Sequence, residues 1–310
     1  MFDLGVTGFS VTPARTEAIE RHTLSIALAG QRNLRDTRTV TIDRPRNSPE
    51  ILPSVSFARR CIDAVKPFVP VPLRRWVREE LRRYRLRPPL GWVRFGTLRR
   101  LTPISPIFGL ERGHGIDRYY IETFLQRHSS DIRNHVLEIA EPLYTRKFGG
   151  SRVTHSAVLH AVPGNPWATL VGDLVTGKGI PREAFDCMIL TQTLPFIYDV
   201  RAAMTNIYAA LKPGGVLLAT AAGISQISRY DMERWGDYWR FTTLSARLLL
   251  EEVFPPTNVA VEAHGNVYVS IAFLTGLAVE ELSRERLDYR DPDYELVITL
   301  RAVKPPAAMR

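Results

Sequence analysis

The stretch FDCMILTQTLPFIYDVRAAMTNIYAALKPGGVLLAT, residues 185–220, decides the fold. It opens on an apolar run, Phe185 to Leu190, and closes on another, Val216 to Thr220. A short continuous apolar run bounded by turn residues predicts a strand covered on both faces. Between the two runs, Val200 to Leu211 predicts an amphipathic helix, and Lys212-Pro-Gly-Gly215 a tight turn. Strand, helix, turn and strand in that order make the crossover unit of a parallel sheet.

The same alternation extends outward. Upstream, Asn134–Ile139, Ser156–Leu159 and Ala168–Val171 predict three strands, led by a helix over Asp117–His128 with Tyr120, Phe124 and Leu125 at helical spacing. Downstream come a helix over Thr243–Val253 and strands over Val259–Glu262 and Tyr294–Val303. The pattern predicts an α/β domain over residues 113–310: a seven-stranded, mostly parallel sheet with helices on both faces.

The chain before residue 113 has another texture. Residues 1–53 show little periodicity and predict a poorly structured N-terminal arm. Residues 54–112 predict a basic helical extension, split by Pro67, Pro70 and Pro72 and ended by Arg87-Pro88-Pro89. Between Arg59 and Arg100 there are 13 Lys/Arg against 3 Asp/Glu, while the remainder holds 28 against 29. The net charge of +9 is therefore a property of one segment. That segment suits an anionic membrane surface or an acidic partner; equally, it reads as a solvated helix touching nothing.

Bulk features exclude several classes. Cys61 and Cys187 are the two cysteines, and they form no cluster with ligand spacing, so no metal site or disulfide framework is expected. The apolar stretches are too short to cross a bilayer, and the first residues lack a basic region followed by an apolar run. A cytoplasmic setting is expected, with peripheral contact at the inner face of the membrane left open.

The order of elements resembles the class I S-adenosylmethionine-dependent methyltransferase superfamily, with its Rossmann-like sheet. More closely, it is similar to a bacterial group of methyltransferase-domain proteins often linked with glycosyltransferases. The resemblance runs from about Gly115 to the C-terminus. It is carried by Gly115-Ile-Asp-Arg-Tyr-Tyr-Ile-Glu122, Val136-Leu-Glu-Ile139, Tyr144-Thr145, Gly172-Asp-Leu174, Phe185-Asp186, Thr191-Gln-Thr-Leu194, Leu211-Lys-Pro-Gly-Gly-Val216 and Gly236-Asp-Tyr-Trp-Arg-Phe-Thr242. It implies strand order 3-2-1-4-5-7-6 with the seventh strand antiparallel, and S-adenosyl-L-methionine lying across the carboxyl ends of strands 1 to 4. In open α/β sheets a crevice forms there.

The resemblance also assigns residues. Glu138 ends strand 1 and would face the ammonium of the methionine moiety. The loop that follows, Ile139-Ala-Glu-Pro-Leu-Tyr144, has Ala140 where the superfamily carries a Gly-x-Gly that lets backbone approach the cofactor. Tyr144 belongs to the same loop. His160 stands at the end of strand 2, where the superfamily has an acid for the ribose hydroxyls. Asp173 and Leu174 would read the adenine, although Asp173 also suits a helix cap. Gln192 and Thr193 sit at the crevice rim. Arg118 and Tyr119 would close over the methionine end, Tyr119 by packing on the sulfonium.

For the acceptor, the resemblance points to Tyr230, Trp239 and Arg240, with Asp231, Trp235 and Tyr238 in the same dense segment. Aromatic faces beside carboxylates suit a sugar ring. Asp237 and His264 are the candidates for a general base. The implied activity is O-methylation of a sugar, glycan or small-molecule hydroxyl. Two alternatives stay open: a non-catalytic domain with an altered cofactor loop, and an RNA methyltransferase anchored by the basic segment. RNA is the weaker partner, because no aromatic stripe or Gly-x-x-Gly clamp accompanies the basic charge. A nicotinamide dehydrogenase is disfavoured, since no Gly-x-Gly-x-x-Gly follows strand 1.

Overall fold

The computed structural model describes residues 96–307 continuously, with isolated positions between 70 and 93. The expected arm over residues 1–53 lies outside the described residues, as does most of the extension. The chain divides into two compact units, residues 1–92 and 93–310. In the first, Pro72, Arg75, Trp76, Glu79 and Glu80 are helical, and Trp76 is exposed.

The second unit is the α/β domain. Helix α1 (Ile116–Arg127) precedes β1 (Asn134–Ile139), β2 (Val153–His160), β3 (Leu170–Val171) and β4 (Phe185–Thr191). Helix α2 (Val200–Ala210) leads into β5 (Leu211–Ala222), followed by the single turn α3 (Arg229–Met232) and α4 (Thr243–Glu251). Then come β6 (Val259–His264), α5 (Val267–Thr275), α6 (Arg284–Asp288) and β7 (Val297–Val303). The strand order is 3-2-1-4-5-7-6; β7 runs antiparallel to both β5 and β6, and the other pairings are parallel.

Strand side chains alternate between two cores, as a period of two requires. Leu137, Met188, Leu190, Leu217 and Ala219 face α2 and α4, meeting Met204, Ile207, Leu249 and Leu250. Val136, Cys187, Ile189 and Leu218 face the other way, toward Ile121, Phe124 and Leu125 of α1 and Val269 and Phe273 of α5. Both faces are covered, which accounts for the unbroken apolar runs of β4 and β5.

The structure moves several expected boundaries. Lys212-Pro-Gly-Gly215 is a bulge within β5: Leu211 pairs with Phe185, yet Val216 pairs with Cys187. Gly214 has φ +80°, and a Cβ on Gly215 would meet the carbonyl oxygens of Lys212 and Phe185 at 2.8 and 2.9 Å. β2 begins at Val153, three residues early, because its first half is an exposed polar edge. α5 was not expected at all. The domain also starts before residue 113: the amides of Ile104 and Ser105 donate to the Thr275 carbonyl, at 2.8 and 3.3 Å.

Candidate active site

A cleft of about 870 Å³ opens at the carboxyl ends of the parallel strands, beside the reversal of order between β1 and β4. This volume lies in the range of small-molecule sites. Glu138, Leu159, His160, Thr191 and Ala222 bring the strand ends to it.

One end is built around Tyr144. Arg118 Nη1 donates to the Tyr144 hydroxyl at 2.9 Å. The Tyr144 amide donates to Glu138 Oε1 at 2.9 Å, and the Thr145 amide to Oε2 at 2.7 Å. Glu138 is only 3% exposed. Burial pushes its carboxyl above the usual range, against the pull of the two amides. Among the described residues no opposite charge lies within ion-pair distance of Glu138 or Arg118, and both line the cleft. Tyr119 does not line it. Its hydroxyl donates to Asp288 Oδ1 at 2.5 Å, because adjacent residues of a helix point in different directions. The expected place of Tyr119 at the cleft is therefore corrected: its helix neighbour Arg118 lines the cleft instead.

The loop after β1 leaves the cleft open. Ala140 adopts φ +68°, the left-handed form that glycine takes without strain. Its amide donates to the Leu159 carbonyl at 3.0 Å, and its carbonyl accepts from Asn165 Nδ2 at 2.8 Å. The fold thus imposes the glycine conformation on an alanine, at about 1–2 kcal/mol. Leu143 borders the cleft and stays half-exposed.

His160 lines the next wall, 5.6 Å edge-on from Trp235. Its Nδ1 lies 2.7 Å from the Val162 carbonyl. The Val162 carbonyl can only accept, so this contact calls for a proton on Nδ1, while the Val162 amide lies 3.3 Å from the same nitrogen; Nε2 is the ring nitrogen without a protein partner among the described residues. Asp173 and Leu174 both line the cleft. Asp173 also closes a local turn, accepting from the Val175 amide at 2.8 Å and the Thr176 hydroxyl at 2.9 Å. Gln192, at φ +50°, and Thr193 complete this wall.

The acceptor side departs furthest from expectation. Asp237 lines the cleft, but its carboxylate is clamped by Arg240 at 2.5 and 2.9 Å and by the Ser228 amide at 3.0 Å. Burial acts to raise its pKa, but Arg240 and the Ser228 amide outweigh that and hold it below the usual range, so it is a poor proton acceptor. Arg240 lines the cleft but also bonds the carbonyls of Ser225, Gln226 and Trp239. The pair fixes the segment and leaves little for a substrate.

Tyr230 is exposed outside the cleft, under the Arg234 guanidinium. Trp239 also lies outside it, its indole N–H donating to the carbonyls of Ile197 and Tyr198 at 3.0 and 3.2 Å. In their place Tyr198, Asp199, Asp231, Trp235 and Tyr238 form the mouth. Gly236, at φ +92°, makes the bend, and a Cβ there would run into the Tyr238 ring.

His264 is not at the cleft. It is buried at the end of β6, with Nε2 3.0 Å from the Thr299 hydroxyl and its ring stacked on Tyr120. Burial, helped by the charge of Arg290, lowers its pKa to about 4.

A family profile described as "Methyltransferase domain" matches residues 151–219. No curated protein matches the chain. Among solved structures, a SAM-dependent methyltransferase from Archaeoglobus fulgidus is 12% identical, with 63% of this chain and 97% of that chain covered and a TM-score of 0.42. The N-methyltransferase NodS from Bradyrhizobium japonicum, in complex with S-adenosyl-L-homocysteine, is 17% identical, covering 62% and 89%, with a TM-score of 0.38. Phosphoethanolamine N-methyltransferase 2 from Haemonchus contortus, in complex with S-adenosyl-L-methionine, is 16% identical. There the match covers 60% of this chain and 52% of that chain, with a TM-score of 0.42.

Two outcomes are expected. The unfolded chain protonates its position 264 near the ordinary imidazole pKa of about 6.5, whereas the folded chain resists until about pH 4. The stability that the neutral ring confers is complete above the unfolded value and declines as pH falls toward the folded one, by on the order of 3 kcal/mol. Urea unfolding at neutral and mildly acidic pH should show a smaller acid loss in His264→Gln than in the parent. Ala140→Gly should relieve the left-handed strain and, after the added freedom of the unfolded chain is subtracted, raise stability by about 0.5–1 kcal/mol. A thermal melt that falls instead would mean the methyl group packs usefully.

Proposed function

We propose that this chain, which carries a class I S-adenosylmethionine-dependent methyltransferase domain, methylates a hydroxyl of a sugar, glycan or other small molecule held at the cleft mouth. One observation carries the placement of the cofactor. Arg118 and Glu138, of opposite charge, converge on Tyr144 at one end of the cleft, with no ion-pair partner of their own among the described residues. An α-amino acid moiety answers both: its ammonium suits Glu138 and its carboxylate suits Arg118. Ala140, holding the left-handed conformation, lets the loop backbone come close. His160 Nε2 takes the ribose role that an acid fills elsewhere in the superfamily, and Asp173 with Leu174 borders the base.

S-adenosylmethionine, when bound, supplies a methyl carbon already activated by its sulfonium. The chain's own task is then to align the acceptor and keep water out. Tyr198, Tyr238 and Trp235 offer ring faces at the mouth, which supports a sugar or another ring-shaped acceptor. Asp231 replaces Asp237 and His264 as the candidate base. It lines the cleft and accepts the Ser228 hydroxyl at 2.5 Å, and no cation lies within ion-pair distance among the described residues. The non-catalytic alternative rests on the missing glycines and on the missing ribose acid; the backbone form of Ala140 weakens the first ground. The contact of Arg59–Arg100 with an anionic membrane or an acidic partner stays a proposal on charge alone.

Calorimetry with S-adenosylhomocysteine tests the placement. Glu138→Gln and Arg118→Ala should each weaken binding about tenfold or more, the worth of a charge-assisted hydrogen bond. His160→Ala should cost less. Unchanged affinity in both charge variants would refute the zwitterion site, and no heat from the parent chain would favour the non-catalytic domain. Asp231→Asn should leave that affinity intact and lower kcat by about 10²- to 10⁴-fold once an acceptor is in hand.

A further inference from the structure

One side of α5 is apolar and turned to solvent. Val267, Tyr268 and Ile271 are each 45% exposed and Leu274 is 40% exposed. Their spacing sets them on one stripe, while Val269, Ala272 and Phe273 on the other side are buried. The apolar surface continues past the carboxyl end of the helix. There Ile104 and Ser105 bond to Thr275, and the same segment exposes Leu101 and Ile107.

Cations bracket the stripe. At its start Arg286 lies 4.7 Å over the Tyr268 ring and donates to its hydroxyl at 3.0 Å. No carboxylate pairs with Arg286 among the described residues. At its far end Arg99 and Arg100 stand exposed beside Leu101. An apolar strip with a tyrosine at its edge, and at both ends arginines that no carboxylate pairs with among the described residues, matches the headgroup boundary of an anionic bilayer. The other exposed apolar pair on a helix, Leu244 and Leu248 of α4, lacks this bracket, and its nearby Arg247 is paired with Glu251.

We propose that the outer stripe of α5, with the segment from Arg99 to Ile107, is a docking surface for an anionic lipid bilayer. It is centred on α5, shares only Arg99 and Arg100 with the basic Arg59–Arg100 segment, and does not depend on the methyl-transfer reading. Docking there would set the cleft beside the membrane, because Phe108, Leu110 and Phe273 line its wall.

Sedimentation of the full chain with vesicles of phosphatidylcholine alone, or mixed with phosphatidylglycerol, tests this. The parent should partition to the mixed vesicles. Ile271→Glu with Leu274→Glu should weaken that partition tenfold or more, and Leu244→Glu with Leu248→Glu should leave it unchanged. Thermal melting and S-adenosylhomocysteine affinity, both expected at parent values, check the fold of each variant; Ile271→Ser with Leu274→Ser serves if the charged pair misfolds. Three results would overturn the proposal: a parent that stays in the supernatant, partition that ignores the α5 substitutions and so belongs to the basic segment, or a parent dimer that those substitutions dissolve.

Discussion

The site depends on a carboxylate that is nearly dry. Glu138 sits near the end of a central strand and is almost wholly buried, and an ionised group there is costly unless something answers it. The answer on the protein side is two backbone amides, those of Tyr144 and Thr145. To deliver them the chain must fold back within six residues of the strand end. That return path forces the bend at Ala140 and brings the Tyr144 hydroxyl to Arg118. One buried charge thus shapes the loop, collects a cation at the same place and keeps the end of the cleft polar. Two amides offset only part of the burial, so the carboxyl is still pushed upward, which leaves room for a cationic group to complete the shell.

Several other charges in the domain are already matched. Asp186 is held by Lys212 at 2.6 Å and by the His135 amide, joining the edge of β4 to the bulge of β5. Asp131 is held by Arg301 at 2.8 Å, tying the turn after α1 to β7. Asp237 and Arg240 form a third such pair, and their position in the cleft does not alter its nature. A carboxylate locked to a guanidinium has a depressed proton affinity and a fixed place, which suits a scaffold better than proton transfer. Partnering therefore divides the cleft more usefully than residue type does.

Much of the fold was legible because buried strands leave unbroken apolar runs. β1 and β4, and the core of β5, fall where those runs lie. β2 was read short because Thr154, His155 and Ser156 face solvent, so half of a real strand carries no apolar signal. α5 was missed for the opposite reason: Val-Tyr-Val-Ser-Ile-Ala-Phe-Leu is apolar on nearly every side and has no period to detect. At the site, residues at or just past a strand end can be located from the strand pattern alone. Glu138 and His160 lie at the ends of β1 and β2, Asp173, Leu174 and Gln192 just after β3 and β4, and all line the cleft. Tyr119 failed by one helical step.

The segment from Ser225 to Phe241 marks where sequence reasoning runs out, and the cause is physical. Most of it is irregular, so no period of two or 3.6 tells which side chains share a face. Its direction is set by contacts distant in sequence: the Tyr238 amide on the Pro195 carbonyl, the Trp239 indole on Ile197 and Tyr198, and Gln226 on Pro106. Each contact turns one polar or aromatic group inward to bind backbone and leaves its neighbour to meet the cleft. Trp239 braces the wall while Tyr238 lines it, and Tyr230 faces solvent while Trp235 reaches across to His160. In such a segment a dense motif announces that a wall exists, and only the backbone path decides which of its side chains a substrate can touch.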